Sequence, residues 1–151
     1  MRKHENCIFC HREKIATGIL YEDDLVMAFP DIDPINAGHI LLVPKEHFLD
    51  VDDMPDALLA HLMRASKRLV HAMKEACRPD GYTIMQNGGA FNDIGHYHLH
   101  IFPRYDGDGF GYVGGKGTEG VSEEQLGEIW SGIAALLQKE DDCEEMIEHE
   151  G

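Results

Sequence analysis

Residues 95–105 read GHYHLHIFPRY, in which His96, His98 and His100 alternate with Tyr97, Leu99 and Ile101. On a helix, residues two and four apart turn onto different faces. On a strand they share one face, with neighbours about 6.5–7 Å apart along the chain. The spacing therefore predicts a half-buried strand over 96–102, with Tyr97, Leu99 and Ile101 facing a core and three imidazoles in a row opposite. A solvated strand face has no need of imidazole. Histidine suits a site that requires a neutral nitrogen as nucleophile, base or metal ligand near neutral pH.

Four more strand candidates lie upstream, at 18–21, 25–29, 39–43 and 82–86, separated by turn material at 22–24, 30–38 and 87–89. The first two are spaced for a hairpin. Asn87-Gly88 is a hairpin cue between the last two strands, although that connection exceeds two residues. Between the third and fourth strands a helix is predicted. Asp52 and Asp53 precede Pro55, Leu58, Leu62, Leu69 and Met73 recur at helical spacing, and Leu59, Met63 and Val70 widen the stripe. Arg78-Pro-Asp-Gly81 ends it, and Cys77 falls on its apolar stripe as a core residue. A second helix opens on the capping-box pattern Ser122-Glu-Glu-Gln125 and continues through Leu126, Ile129, Ile133 and Leu136. Residues 104–120 are too glycine-rich for either element. Strands gathered around one long helix, without regular βαβ alternation, predict an α+β fold with a five-stranded, mainly antiparallel sheet.

With 151 residues, 43% of them hydrophobic, and no repeat or linker, the chain reads as one domain over 1–151. The N-terminus lacks a signal-peptide pattern, and the longest apolar run, Ile40–Val43, is far too short to span a bilayer, so a cytoplasmic protein without a membrane partner is expected. Its 28 acidic residues against 13 Lys and Arg give a net charge of −15, which argues against coating nucleic acid but leaves room for a small phosphorylated ligand in a local pocket. Part of that excess lies in the tail EDDCEEMIEHEG, expected to be a solvated, frayed end that includes Cys143.

The cysteines form no disulfide framework. Cys7 and Cys10 stand as CIFC, which in a chain without an export signal reads as a metal clip or a redox pair. A structural zinc needs four Cys or His ligands, and His47 and one end of the histidine row are sensible donors. A redox CxxC normally follows a strand at the start of a helix, and this one has no strand before it. Spacing alone leaves open which histidines complete a zinc site.

HYHLHIF at 96–102 resembles the signature of the histidine-triad (HIT) family. The similarity extends to CIFC at 7–10, YEDD at 21–24, AFPDIDPINAGHILLVPKEH at 28–47 and PRYDGDGFG at 103–111, in the right order and spacing. It thus covers a core of about 7–111, leaving a loop, helix and acidic tail at 112–151. The resemblance implies the HIT fold, nucleotide binding and cleavage at the α-phosphorus. The expected substrates are purine nucleoside phosphoramidates, acyl-adenylates or dinucleoside polyphosphates, so a partner such as AMP is implied. His98 would be the nucleophile that forms a nucleotidyl-histidine, His100 would contact phosphate oxygens, and His39 would order the triad. Cys7, Cys10, His47 and His96 would hold one structural zinc per chain. Asp31 would bind the ribose hydroxyls, Ile8, Phe9, Phe29 and Ile32 would line the base pocket, and Asn87 would lie near the phosphate. The resemblance also implies a homodimer.

One stretch departs from the pattern. Many members carry Gly-Gln-Ser shortly before the triad, with the serine and glutamine on the phosphates, and here the span reads Phe91-Asn92-Asp93. Asn92 could replace the glutamine amide, whereas Asp93 places a carboxylate where a hydroxyl is expected. The Trp-containing C-terminus of the Hint branch is also absent, since Trp130 lies in the second helix. Two other readings compete: a nucleotide-sensing or scaffold protein with incidental hydrolysis, and a catalytic metal site built from the triad and CxxC together.

Overall fold

The computed structural model describes residues 2–111, 117 and 119–148, the last ten of these as backbone only. The chain divides into two compact units, Met1–Phe110 and Gly111–Gly151. The first unit is built on strands β1 (Tyr21–Glu22), β2 (Val26–Pro30), β3 (Ile40–Pro44), β4 (Gly81–Met85) and β5 (Leu99–Arg104), with helix α1 (Asp56–Cys77) between β3 and β4. The sheet order is β1-β2-β3-β5-β4, with every neighbouring pair antiparallel. The expected α+β fold is present, and both expected pairings occur. β1 is displaced to the end of its expected span, beginning at Tyr21.

The period-2 alternation of the strands sorts their side chains into two cores. Val26, Ala28, Ile40, Leu42, Leu99 and Ile101 pack with the α1 residues Leu62, Ala65, Leu69 and Met73, and Tyr97 joins them. Met27, Phe29, Leu41 and Val43 face the other way and pack with Cys7, Phe9 and Cys10 from the N-terminal segment. This double covering explains the uninterrupted run ILLV, because a strand buried on both faces needs no polar side. It also fixes where the histidines look: the face opposite α1, toward the CIFC segment.

Helix α1 starts after Pro55 and is capped at its C-terminus by Arg78 in the left-handed region, φ 48°. Its stripe is narrower than expected, for Met63 is 55% exposed. Cys77 is half-buried against the core, and its sulfur limits the neighbouring turn. A Cβ on Gly38, whose φ is 102°, would lie 2.7 Å from Cys77 Sγ, so only glycine fits there, next to His39.

The turn and the loop after β5 are tied together by Asp108. Its carboxylate accepts from Arg104 Nε (2.6 Å) and Nη2 (2.9 Å), Asn36 Nδ2 (2.9 Å) and the backbone N–H groups of Tyr105 and Phe110. The Arg104 guanidinium beside it holds this carboxyl well below the usual carboxylate range. A depressed folded-state pKa contributes stability that is fully present above the unfolded value and lost as pH falls through the folded one. Asp108→Asn is therefore expected to lower the urea midpoint at pH 7, with the gap to the wild type narrowing progressively as pH falls below about 4.

In the second unit, α2 (Glu123–Glu148) begins with the expected capping box. Ser122 N–H donates to Gln125 Oε1 at 2.9 Å, and Gln125 N–H donates to Ser122 Oγ at 3.2 Å. The helical backbone runs through Cys143 to Glu148, into the segment expected to fray. The expected loop over 104–120 holds for 105–111, while 112–116 and 118 lie outside the described residues.

Candidate functional site

Strand β5 begins at Leu99, so among the three histidines only His100 lies on it; His96 and His98 belong to the segment that leads into it. The alternation nevertheless persists through that segment. Tyr97, Leu99 and Ile101 enter the α1 core, and the rings of His96 and His98 stand edge-on to Phe9 at centroid distances of 5.9 and 5.6 Å. The three rings meet different partners, and those partners fix where each proton resides.

A backbone carbonyl can only accept, so the ring nitrogen that faces one must carry hydrogen. His98 Nδ1 donates to the His96 carbonyl at 2.7 Å, which leaves Nε2 with a free lone pair. His96 Nε2 donates to the Pro44 carbonyl at 2.9 Å, which leaves Nδ1 bare. The Ile35 N–H donates to His39 Nδ1 at 3.1 Å, so His39 carries its proton on Nε2 and donates it to His100 Nδ1 at 3.0 Å. His100 is thereby left with its own hydrogen on Nε2. His98 presents a lone pair, and His100 presents a donor.

Burial keeps the His39 and His100 rings neutral. It pushes His100 down to about 4, aided by His98 and His39, and it also lowers His39. A hydrogen-bond chain that supplies one proton per ring gives the same result. A neutral His100 recognises an anion as a dipole, by its N–H.

His98 and His100 open onto a cavity of about 260 Å³. The buried side chains of Phe9, Phe29 and Leu41 line it, with Phe9 and Phe29 in edge contact at 5.2 Å. Ile8 and Ile32, 44% and 79% exposed, stand at its rim. Asp31 also lines it. One of its oxygens accepts from Asp33 N–H at 3.0 Å, as a turn residue would, while the other lies 3.5 Å from His39 Nε2 and 3.8 Å from His100 Nδ1. Eight of the expected residues therefore meet here: Ile8, Phe9, Phe29, Asp31, Ile32, His98 and His100 on the cavity, and His39 behind His100.

Asn87 and Asn92 are not among the lining residues. Asn87 is exposed, and both ends of the Asn92 amide are engaged, Nδ2 with the Leu49 carbonyl (2.8 Å) and Oδ1 with Gly95 N–H (3.0 Å). That amide shapes the loop; the residue that reaches the cavity is its neighbour Asp93, whose Oδ1 is 3.8 Å from His98 Nε2. Lys14, Ile15, Ala16 and Thr17 also line the cavity and were not expected to. Nothing in their sequence marks them, since they arrive through the path of the N-terminal segment.

The remaining four candidates form a second cluster. Cys7 Sγ lies 3.3 Å and Cys10 Sγ 3.6 Å from His96 Nδ1, and Cys10 Sγ lies 3.3 Å from His47 Nδ1. Four ligands at zinc's usual bond lengths are separated along the tetrahedron's edges by roughly 3.3–3.8 Å, and these spacings fall in that range. The nitrogens facing the sulfurs suit coordination. Burial pushes His96 down to about 4 and also lowers His47, so both are neutral ligands. Burial likewise pushes the Cys7 thiol up, a cost that a bound dication reverses by stabilising thiolate. Cys7, Cys10, His47 and His96 could thus hold a metal ion. Asp31, His39 and His100 are the other group close enough to do so among the described residues, but their facing ring nitrogens already share a hydrogen bond. Neither group includes His98.

A family model described as the HIT domain matches residues 12–107. The chain is 34% identical over 139 residues to the adenosine 5′-monophosphoramidase of Saccharomyces cerevisiae, covering 89% of this chain and 85% of that protein. It resembles the crystal structure of a HIT family protein from Bacillus anthracis, with a TM-score of 0.75 and 33% identity over 88% of this chain and 98% of that one. A zinc-bound histidine triad family protein from Mycobacterium smegmatis matches with a TM-score of 0.65 and 29% identity, over 89% and 96% of the two chains. With its triad, its fold and a family match across most of its length, the chain belongs to the HIT family.

Proposed function

We propose that this protein is a cytoplasmic nucleotide hydrolase that cleaves at the α-phosphorus of purine nucleoside phosphoramidates, acyl-adenylates or dinucleoside polyphosphates through a nucleotidyl-histidine on His98. The observation that carries this reading is the hydrogen bond from His98 Nδ1 to the His96 carbonyl. In the neutral ring it places the proton on Nδ1 and leaves the Nε2 lone pair at the cavity that His98 lines, as a nitrogen nucleophile requires.

For a phosphoramidate, Nε2 forms a bond to phosphorus as the P–N bond breaks, its electron pair leaving on the departing nitrogen, which takes a proton from solvent. Water then adds to phosphorus, the bond to His98 breaks, and the water's proton returns to solvent. His100 donates its Nε2–H to a phosphoryl oxygen throughout, and His39 holds it in that tautomer. Asp31 accepts from the ribose hydroxyls, and the base lies between Phe9 and Phe29 within and Ile8 and Ile32 at the rim. Cys7, Cys10, His47 and His96 hold one structural zinc, whose chemistry is to pin the N-terminal segment against the histidine approach. The functional assembly is a homodimer.

Brief incubation with adenosine 5′-phosphoramidate, acid quench and intact-mass analysis should reveal an AMP adduct that maps to His98. Turnover without any trapped adduct would replace covalent catalysis with direct attack by water.

A further inference from the structure

We infer that Asp93 sets the leaving group: it makes the site prefer substrates whose departing part carries positive charge over those that release a polyphosphate. This rests on the proposed hydrolysis at His98. Asp93 Oδ1 is 3.8 Å from the nitrogen assigned as nucleophile, while Asp93 itself is exposed and His98 is buried. The carboxylate thus stands at the mouth of the cavity, beside the atom where bonds change. An in-line displacement places the leaving group across phosphorus from Nε2, roughly 3.5 Å away and well within a Debye length of this carboxylate.

The loop is held in that position. Asn92 is tied to Leu49 on one side and Gly95 on the other, and Ile94 packs into the core shared with Phe9 and Leu41. Asp93 is therefore presented by anchored neighbours on both sides.

The surroundings share its sign. The lining holds Asp31, Asp33 and Asp93 against Lys14 as its cation, and the Lys14 ammonium donates to the Glu5 carbonyl at 3.1 Å. A dinucleoside polyphosphate would bring several negative charges to this mouth, and opposing charge there raises the barrier. A departing amine that bears an ammonium on a short tether meets attraction instead. The tethered charge is untouched by P–N cleavage, so the attraction persists in the transition state and raises kcat/KM.

The magnitude is limited by exposure. A solvent-screened charge near 4 Å contributes at the level of a surface ion pair, about fivefold in rate rather than thousands. Two AMP phosphoramidates provide the test, one made from a diamine whose free end is an ammonium and one from its uncharged isostere, with a diadenosine polyphosphate as the third substrate. For the wild type, kcat/KM is expected to favour the cationic substrate about fivefold over the neutral one. Asp93→Asn, which preserves shape, and Asp93→Ser are both expected to lower that ratio severalfold and to raise polyphosphate cleavage by a similar factor. High salt should shrink the wild-type ratio more than that of Asp93→Asn.

An unchanged cationic-to-neutral ratio in both variants overturns the assignment of Asp93 while the hydrolase reading stands. No turnover of any of the three substrates by the wild type overturns the hydrolase reading itself.

Discussion

His98→Ala is expected to lower turnover of adenosine 5′-phosphoramidate by about 10⁶-fold, the scale seen when a covalent nucleophile is removed, and to abolish the AMP adduct. AMP affinity should change little, because Phe9, Phe29, Asp31 and the His100 donor remain. Deleting a buried ring that packs against Phe9 and His100 also opens a hole, so His98→Asn should accompany it. Both variants should be equally inactive with AMP affinity retained, as read by calorimetry alongside single-turnover kinetics. Residual turnover within tenfold of wild type in either variant would exclude His98 as nucleophile. The same pair addresses the sensing alternative, for a sensor keeps its cellular role without the nucleophile.

The second large effect concerns the cysteine–histidine cluster. Purified protein is expected to carry about one zinc per chain by elemental analysis, and Cys10→Ala should bring that ratio to near zero while lowering the thermal midpoint. Apparent zinc affinities at such sites reach about 10 kcal/mol or more, and that energy is coupled to folding. The melting transition should therefore drop by well over ten degrees, and a strong chelator should do the same to the wild type. Cys77→Ala serves as a control, since that half-buried cysteine lies outside the cluster and should leave the metal ratio intact. Two metals per chain, or activity lost on chelation with the fold unmoved, would favour the catalytic-metal reading instead.

Much of this was legible because period-2 alternation is a geometric constraint that survives imperfect strand pairing. His96 and His98 precede β5, yet their side chains keep the alternation, facing Phe9 while Tyr97 and Leu99 enter the α1 core. Helix α1 was legible for a similar reason, although Met63 showed that the apolar stripe of a sequence can be wider than the face that packs. Tautomers were not legible, because they depend on backbone carbonyls such as that of Pro44, 52 residues from His96, and a carbonyl leaves no mark in the sequence. Asn92 misled for a related reason: its amide suits a phosphate, but two backbone groups within reach claimed it first. Asp93 stood out from the residue type alone, and only its distance to His98 gave that carboxylate a consequence. At the other end of the chain, composition favoured a frayed tail, whereas the capping box at Ser122 starts a helix whose backbone continues to Glu148.

His96 faces two tasks at once. Its ring nitrogen points at the two sulfurs, while its own carbonyl takes the proton that orients His98. Oxidation of Cys7 and Cys10 would disturb the contacts that steady this residue, and the disturbance would reach His98 through a single peptide unit. Activity carried by His98 would then be lost with the thiols, although no cysteine lines the cavity.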